Sequence, residues 1–460
     1  MNIEKVLDLL SHGESDERMM GFIKYYANKL WAEYNEYLMN EVIVIENKVK
    51  ELPIVIPNAS IRKPYNAIVS IPCEKMTDMT LSGLTEEVQG LRIEKQEDGK
   101  SFRISGTPKE SGTFDVVLRY KYCGLSVEHP YLERILQIII NPDPRDLWKD
   151  IPVSEGIEYP KDNTAKEYVK VAALPDGAPQ KDIVAASKRG RSHAQEGKPR
   201  DDDFRLYYDK KTNWYVIAVA DGAGSAPYSR EGSKIACNVA VEHCKEQLAD
   251  SESFDDDINL YHFDQKSEAA GKVISADIYK IVGNAALKAY KAIVVEAQQK
   301  NRKTKEYSTT LLLTICKKYD FGWFVASFWV GDGAICLYNR DSETAIMLGM
   351  PDEGEYAGQT RFLTMPEIFS DPNKFYQRMN CRIVPDFTAL FLMTDGVSDP
   401  KFETDANLKS YDKWNELWVN LKENGVELTD DNEEAASQLL NWLDFWSPGN
   451  HDDRTIAILY

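Results

Sequence analysis

The chain has 460 residues, of which 43% are hydrophobic and 28% charged, and its formal net charge is −19 at pH 7. This composition is typical of globular proteins and excludes a wholly disordered chain, and the length predicts two or three domains. An acidic surface repels nucleic acids and anionic lipids, because affinity for both depends on cationic side chains. We therefore expect no nucleic-acid partner and no membrane partner.

The apolar runs are only of strand length, and the start of the chain lacks the basic and apolar regions of a signal peptide. These features predict a cytoplasmic protein without a membrane-spanning segment. The seven cysteines are odd in number and include no Cys-x-x-Cys pair. Reduced thiols are therefore favoured over a disulfide framework or a zinc site.

Residues 1–50 are predicted to form a helical segment, because apolar side chains recur at three- and four-residue spacing between Met19 and Val49. Residues 51–141 change to short β-rich runs separated by turn signals, which predicts a small antiparallel sandwich. Within it, the stretch 104–114 resembles the late strands of bacterial immunoglobulin-like modules. We therefore predict an immunoglobulin-like β-sandwich for this region.

Residues 142–180 contain six of the 20 prolines of the chain. Proline interrupts both ladder and helix hydrogen bonds, so this stretch is either a linker or an extended wrap around the next domain. Residues 181–460 are predicted to form a large α+β domain with long helices near 229–248 and 273–300. The acidic residues 249–270 between these helices are expected to form an exposed loop.

Aspartates follow or precede the predicted strands of this last domain, and three of them stand directly before a glycine. The strand-end residues are Asp221, Asp332, Asp395 and Asp452, and an acidic run covers Asp201, Asp202 and Asp203. Each Asp-Gly alone is a turn signal, and Asp332-Gly333 is typical of a hairpin turn. Carboxylates gathered at one sheet edge would instead repel one another unless a cation neutralised them, and all-oxygen ligands favour Mg²⁺ or Mn²⁺. Spacing alone supports a metal site and a set of ordinary turns equally.

Several segments of residues 181–460 resemble motifs of the metal-dependent serine/threonine protein phosphatases (type 2C, or PPM), and most closely those of the bacterial branch. They occur in the order of that family, and they are Ala186–His193 with Gly197–Phe204, Val219–Ser225, Val330–Ile335, Gly354–Thr364, Thr394–Asp399 and His451–Thr455. The first 180 residues lie outside the resemblance. The resemblance implies an α+β fold in which a β-sandwich is flanked by helices in α/β/β/α layers.

The resemblance also implies a centre of two Mn²⁺ or Mg²⁺ ions, with a weaker third ion, at one end of the sandwich. Carried over by position, Asp221 would bridge the two ions and Gly222 would offer its carbonyl oxygen to one of them. Asp395 and Asp452 would complete the shell of the first ion.

The second ion would be held by Asp202 with Asp201 beside it, and Asp332 matches the acid of the third ion. A water activated by two metal ions would hydrolyse phosphoserine or phosphothreonine on a protein substrate. The implied enzyme is a protein serine/threonine phosphatase that needs Mn²⁺ or Mg²⁺.

Two positions depart from the pattern of the family. Ala223 stands where many members have a histidine that could donate a proton, and Asp201 stands where Glu or Gln is common. His193 could supply the proton instead, although ordinary packing is equally supported for it. Arg191 and Lys198 could hold the phosphate as fixed positive charges.

We therefore expect an active cytoplasmic phosphatase whose N-terminal helix and sandwich select or regulate its substrate. A bacterial signalling system with a partner kinase would fit such an enzyme. The alternative is a catalytically weak or inactive phosphatase-like binding protein. Ala223 and the unmatched N-terminal third favour this alternative, whereas the full set of strand-end aspartates favours the enzyme.

Overall fold

The computed structural model describes residues 17–39, 41–123, 131–161, 164–173, 180–264, 267–352, 360–430 and 432–460. The chain divides into two compact units, Met1–Leu147 and Trp148–Tyr460. The division lies inside the stretch that we predict as linker or wrap, and most of that stretch belongs to the second unit. None of the helices in these ranges is long and apolar enough to cross a membrane.

In the described part of the first unit, two α-helices are followed by two small β-sheets. The helices are α1 (Glu17–Met39) and α2 (Glu41–Lys50), and the strands are β1 (Ala59–Ser60), β2 (Tyr65–Ser70), β3 (Met76–Ser82), β4 (Leu91–Lys95), β5 (Ser101–Gly106), β6 (Gly112–Tyr122) and β7 (Leu132–Asn141). The strand orders are β1-β7-β6-β3 and β2-β5-β4. Alternating side chains of both sheets, among them Val69, Ile104 and Leu118, form one apolar core together with Val49 of α2. The immunoglobulin-like character of this unit stays a prediction.

The second unit is built on two stacked β-sheets. Its strands are β8 (Thr164–Val169), β9 (Ile183–Lys188), β10 (Asp203–Tyr208), β11 (Tyr215–Ala220), β12 (Leu311–Tyr319), β13 (Gly322–Val330), β14 (Ala334–Asn339), β15 (Thr344–Gly349), β16 (Met379–Val384), β17 (Ala389–Met393) and β18 (Arg454–Leu459). The five-stranded sheet has the order β10-β11-β12-β13-β16, and the six-stranded sheet has the order β15-β14-β17-β18-β9-β8. Side chains such as Ile217, Val325 and Leu392 fill the space between the sheets.

Helices cover the outer face of each sheet. They are α3 (Arg191–Glu196), α4 (Ser229–Leu248), α5 (Glu252–Phe263), α6 (Glu268–Ile278), α7 (Asn284–Gln299), α8 (Glu367–Ser370), α9 (Pro372–Tyr376), α10 (Asp395–Phe402), α11 (Tyr411–Glu423) and α12 (Ala435–Trp442). Helices α4 and α7 share a buried apolar cluster with the five-stranded sheet. Helices α11 and α12 share a second cluster with the six-stranded sheet. The predicted α+β fold with α/β/β/α layers is thereby confirmed.

Two expectations from the sequence are wrong. The acidic residues 249–270 are not an exposed loop, because α5 and the start of α6 lie there, and Phe254 and Ile258 of α5 pack into the core. Residues Asp332-Gly333 do not close a hairpin, because β13 pairs with β12 and β16, whereas β14 pairs with β15 and β17. The turn carries the chain from one sheet to the other.

The proline-rich stretch differs from a plain linker in the residues that the structure describes. Strand β8 pairs antiparallel with β9 over its whole length and forms the edge of the six-stranded sheet. Ahead of β8, the backbone amide of Ile151 donates to the carbonyl of Ala194 (2.9 Å), and that of Ser154 donates to the carbonyl of Gly197 (3.1 Å). This part of the chain is an extended wrap on the second unit.

Candidate functional site

The predicted site residues meet at one end of the stacked sheets because the antiparallel register aligns the relevant strand ends. The aligned pairs are Asp203 with Ala220, Ala334 with Met393, and Arg454 with Lys188. The loops that precede or follow these residues therefore leave the sheets on the same side. They carry all of the aspartates that we predict as metal ligands.

Asp221, Asp332 and Asp395 form the centre of the site. One carboxylate oxygen from each lies within 4.8 Å of the others. The position of Asp221 is fixed through its backbone, since its amide donates to Oγ1 of Thr310 and its carbonyl accepts from the amide of Thr310, both at 2.8 Å. Asp332 accepts a hydrogen bond from Thr360 through Oδ2, and its buried Oδ1 has no partner among the described residues.

The electrostatics of this trio, which we call the carboxylate trio, are unfavourable without a cation. Burial, followed by the charges of Asp395 and Asp202, raises the pKa of Asp221 well above its usual range. Burial, followed by the charges of Asp332 and Asp452, does the same to the pKa of Asp395. No cationic side chain is hydrogen-bonded to the trio in the described part of the chain. Ionised carboxylates at this separation require positive charge beside them.

Asp202 and Asp201 lie next to the trio and are buried. Asp202 links the two sheets, because its Oδ2 accepts from Oγ1 of Thr394 (3.0 Å) and from Oγ1 of Thr455 (2.6 Å). Burial and the nearby charge of Asp453 raise the pKa of Asp202 to about 7 and that of Asp201 to about 6. Both acids therefore respond to the same crowding as the trio.

His193 and Asp453 form a second group, which we call the His193–Asp453 pair. Nδ1 of His193 lies 3.1 Å from both carboxylate oxygens of Asp453. The carboxylate also accepts from the backbone amides of Gly190 (2.6 Å) and Asp201 (2.5 Å). Burial alone would lower the pKa of His193, but the hydrogen bond and charge of Asp453 outweigh it and raise the pKa to about 9. Although burial opposes ionisation of Asp453, these donors lower its pKa.

Gly222 and Asp452 are the other two predicted metal ligands. Gly222 lies so close to the backbone of residue 201 that a Cβ added to it would stand 2.5 Å from the carbonyl oxygen of Asp201, so only glycine fits there. The carboxylate of Asp452 is exposed, and one of its oxygens lies within 4.8 Å of ligand atoms of His193 and Asp453. Asp452 thus lies at the solvent side of the His193–Asp453 pair.

The two predicted phosphate-binding residues are differently placed. The guanidinium of Arg191 donates to the carbonyls of Asp444 (3.0 Å) and Phe445 (3.2 Å), which holds it on the loop that follows α12. Lys198 is half exposed and pairs with Glu196 at 2.6 Å. It also lines a cavity of about 370 Å³ whose wall includes Asp201. Lys198 therefore shares a cavity with Asp201, whereas the guanidinium of Arg191 is held by Asp444 and Phe445.

Sequence reasoning missed three residues that shape the site. Asp453 is a buried hydrogen-bond acceptor, and in the sequence it lies within the motif His451–Thr455 without an assigned role. Arg230 of α4 is buried and brings its guanidinium to 3.8 Å from Oδ1 of Asp201. Lys161 lies in the wrap and contacts Asp203 at 2.8 Å. For Asp453, its place directly after Asp452 in the motif His451–Thr455 was the available signal, but for Arg230 and Lys161 the sequence contained none.

The residues at this end of the sheets fit divalent cations. The donors are carboxylate oxygens and a glycine carbonyl, which is the hard oxygen set that Mg²⁺ and Mn²⁺ prefer. The raised pKa values of Asp221 and Asp395 and the unpartnered Oδ1 of Asp332 are what such a set is expected to have before a cation is added. The Mn²⁺ or Mg²⁺ cofactor that we predict is therefore compatible with the geometry of the chain.

Comparison with protein families assigns the second unit. The sequence profile of the family described as Protein phosphatase 2C matches residues 189–444. The match covers more than half of the chain and includes all of the carboxylate trio. Part of the motif Gly354–Thr364, namely residues 354–359, lies outside the described residues.

Several solved structures are similar to part of the chain. The catalytic domain of PstP in complex with two manganese ions has 16% identity and a TM-score of 0.34, covering 60% of this chain and 96% of that one. PstP/Ppp of Mycobacterium tuberculosis has 13% identity and a TM-score of 0.34, with 61% and 98% covered. RsbX in complex with magnesium has 14% identity and a TM-score of 0.34, with 64% and 100% covered. The comparison with curated proteins finds no match.

Proposed function

Because the chain belongs to the protein phosphatase 2C family, and is therefore a serine/threonine protein phosphatase, we propose that its carboxylate trio is the centre of phosphomonoester hydrolysis. The observation that carries this proposal is the gathering of carboxylate oxygens of Asp221, Asp332 and Asp395 within 4.8 Å of one another. Among the described residues, no cationic side chain is hydrogen-bonded to these three carboxylates. Such a cluster is costly to a fold unless it binds a cation. Phosphoserine and phosphothreonine on proteins are the substrates that the family implies.

In this proposal the carboxylates divide between the ions. Asp221, the carbonyl of Gly222, Asp395 and Asp452 would hold the first ion, and Asp221 would also contribute to the second. Asp202 with Asp201 would serve the second ion, and Asp332 would serve a third, weaker one. When bound, such ions activate a water molecule and neutralise charge on the phosphoryl oxygens.

His193 is the proposed proton donor to the serine or threonine oxygen that leaves. Asp453 holds Nδ1 and thereby fixes the orientation of the ring, as carboxylates do for catalytic histidines. The other ring nitrogen, Nε2, lies 3.7 Å from Oδ2 of Asp201. A Cβ added to Gly224 would lie 3.9 Å from this nitrogen, so the loop that carries Ala223 passes beside it. A proton donor here compensates for the absence of histidine at position 223.

Lys198 and Arg191 have different parts in the proposal. Lys198 lines the cavity beside Asp201, where its ammonium group would attract the phosphate of an approaching substrate. Arg191 stays a weaker candidate, because its guanidinium is held by Asp444 and Phe445. The first unit would select the substrate or regulate access to it, and a partner kinase would supply the phosphorylated protein.

Hydrolysis of a phosphothreonine peptide tests the proposal. The wild type, Asp221→Asn and the matched control Asp341→Asn, an exposed aspartate, are compared in Mn²⁺, in Mg²⁺ and in EDTA. We expect metal-dependent activity that the control retains and that Asp221→Asn reduces by about 10³-fold, since electrostatic stabilisation of the transition state is lost. Full activity of Asp221→Asn, or undiminished activity of the wild type in EDTA, contradicts the proposal.

The alternative function, a phosphatase-like binding protein, predicts a different result. Calorimetry with Mn²⁺ on the wild type would then detect no binding, and no peptide would be hydrolysed. The role of the first unit is tested with a fragment that starts at Trp148, where the second unit begins. Higher activity of this fragment than of the full chain would identify the first unit as an inhibitor, and altered preference among peptides would identify it as a selector.

A further inference from the structure

The extended wrap described above contributes contacts to the site. Its residues 148–161 and 164–169, which we call the strap, precede the residues 189–444 that match the family. Besides the pairing of β8 with β9, the strap is joined to the second unit by the ion pair of Asp150 with the buried Arg189. It is therefore an integral part of the fold of this unit.

Lys161 is the residue of the strap that reaches the acidic loop. Its Nζ donates to the carbonyl oxygen of Asp202 (2.6 Å) and pairs with Oδ2 of Asp203 (2.8 Å). It also lies 3.3 Å from the carbonyl of Arg230 and 3.3 Å from Oγ of Ser233. The side chain is only 11% exposed. A buried ammonium with four oxygen partners is a fixed element of structure, unlike an exposed surface lysine.

Residues of the strap close to Lys161 hold Asp201, the neighbour of Asp202, indirectly. Arg230 donates through Nε to the backbone carbonyls of Glu158 (3.1 Å) and Tyr159 (3.0 Å), and its Nη1 lies 3.8 Å from Oδ1 of Asp201. Ser233, next to Lys161, donates to the carbonyl of Asp201 at 2.5 Å. The backbone of both acids is thus anchored to groups that the strap orders.

We propose that Lys161 is a positioning residue for the metal site, which holds the backbone of Asp202 so that the carboxylate of Asp202 faces the carboxylate trio. Its positive charge neutralises Asp203, which points away from that trio toward the strap. Through Lys161, the strap is thereby connected to the proposed metal ligands of this chain. This inference rests on the proposed function, because it concerns the same metal ligands.

The reason for the effect is preorganisation. A carboxylate that already points into a site loses little freedom when it binds an ion, whereas a loosely held one must be ordered first. Loss of Lys161 frees the loop at Asp202 and leaves the carboxylate of Asp203 without its cation. We therefore expect weaker metal binding rather than weaker binding of the peptide.

Calorimetry with Mn²⁺ alone, on the full chain without substrate, tests this inference. The variants are Lys161→Met and Lys161→Arg, with Lys166→Met as the control, since Lys166 is an exposed residue of the same strap. We expect the Kd for Mn²⁺ to rise at least tenfold in Lys161→Met, to recover in part in Lys161→Arg, and to stay within twofold in the control. The KM for a phosphothreonine peptide at saturating Mn²⁺ stays within twofold, and kcat recovers as Mn²⁺ is raised.

A folded Lys161→Met that binds Mn²⁺ with the wild-type Kd overturns the inference. If Lys161→Met does not fold by circular dichroism, Ser233→Ala decides instead, because it removes one partner of Lys161 and the bond to Asp201 with little change in volume. A rise of about threefold or more in its Kd supports the inference, and an unchanged Kd overturns it. Failure of the proposed function is separate, since the wild type itself would then bind no Mn²⁺.

Discussion

The carboxylate trio and the His193–Asp453 pair lie at the same end of the sheets, and their acids have opposite electrostatic surroundings. In the carboxylate trio, burial and mutual repulsion raise the pKa values of Asp221 and Asp395. In the His193–Asp453 pair, a histidine and two backbone amides lower the pKa of Asp453. Among the described residues, no cationic side chain is hydrogen-bonded to the trio, whereas Asp453 of the pair contacts His193 and accepts from two backbone amides. Burial of an acid therefore does not identify a metal ligand, and the identity of its partners does.

The largest expected effect concerns the trio alone. Asp395→Asn removes one carboxylate from it, so kcat/KM for a phosphothreonine peptide should fall by about 10³-fold, as for the loss of a group that stabilises transition-state charge. The Kd for Mn²⁺, measured by calorimetry, should rise in parallel. Asp341→Asn is the matched control and should behave as the wild type. A wild-type Kd in Asp395→Asn would remove this residue from the metal site.

The same chemical change should have opposite effects on stability in the two groups. In EDTA, Asp453→Asn should lower the free energy of unfolding by about 3 kcal/mol, because an amide nitrogen would face the donors of Gly190, Asp201 or His193. Asp395→Asn should raise it by about 1 kcal/mol, because it relieves repulsion in the trio. Urea denaturation measures both changes. If the free energy of unfolding changed with the same sign in both variants, the distinction between the trio and the His193–Asp453 pair would be contradicted.

The pH dependence of stability sharpens the contrast. An unfolded aspartate is ionised above about pH 5, whereas folded Asp202 keeps its proton up to a pKa of about 7. Between pH 5 and the pKa of about 7, the folded state therefore binds more protons than the unfolded state. The free energy of unfolding in EDTA should consequently fall by about 2 kcal/mol from pH 5 to pH 7.5.

His193 acts in the same direction over a higher range. Because the pKa of His193 is raised to about 9, its protonated ring stabilises the folded state fully below about pH 6.5 and no longer above pH 9.

The contribution of Asp202 is tested by urea denaturation of Asp202→Asn in EDTA. The free energy of unfolding of this variant should depend less on pH below pH 7.5 than that of the wild type, and equally above pH 7.5. A stability that rises between pH 5 and pH 7.5 in the wild type would contradict this account.

The smallest expected effect lies at the edge of the site. Lys198→Met should raise KM for the peptide about threefold with kcat retained, because an exposed ammonium attracts the substrate without contacting the trio. Lys211→Met, at another exposed lysine, is the control. Steady-state kinetics at low and high salt measure both, and the effect should shrink as salt screens the charge. An unchanged KM would leave Lys198 as part of a surface pair with Glu196.

Much of the fold was accessible from local patterns. The strands that end at Ala220, Val330 and Met393 are continuous apolar runs, and their burial on both faces makes them recognisable without a partner. The helix at 229–248 was also predicted from its spacing and is confirmed. The acidic residues 249–270 were misjudged, because their charges conceal the few apolar positions, such as Phe254 and Ile258, that make α5 amphipathic.

The sequence alone determined that aspartates stand at strand ends, in the order of a phosphatase family, because these motifs are short and contiguous. Only the tertiary structure decided which of them are neighbours, since strand register and the stacking of two sheets join residues as far apart in the chain as Gly190 and Asp453, which are separated by 263 positions. The tertiary structure also decided that the turn at Asp332 connects the two sheets, and that Lys161, from a proline-rich stretch, contacts the loop of Asp202. The chemical role of a buried charged group depends on the groups that contact it, and in this protein those groups are distant in the chain.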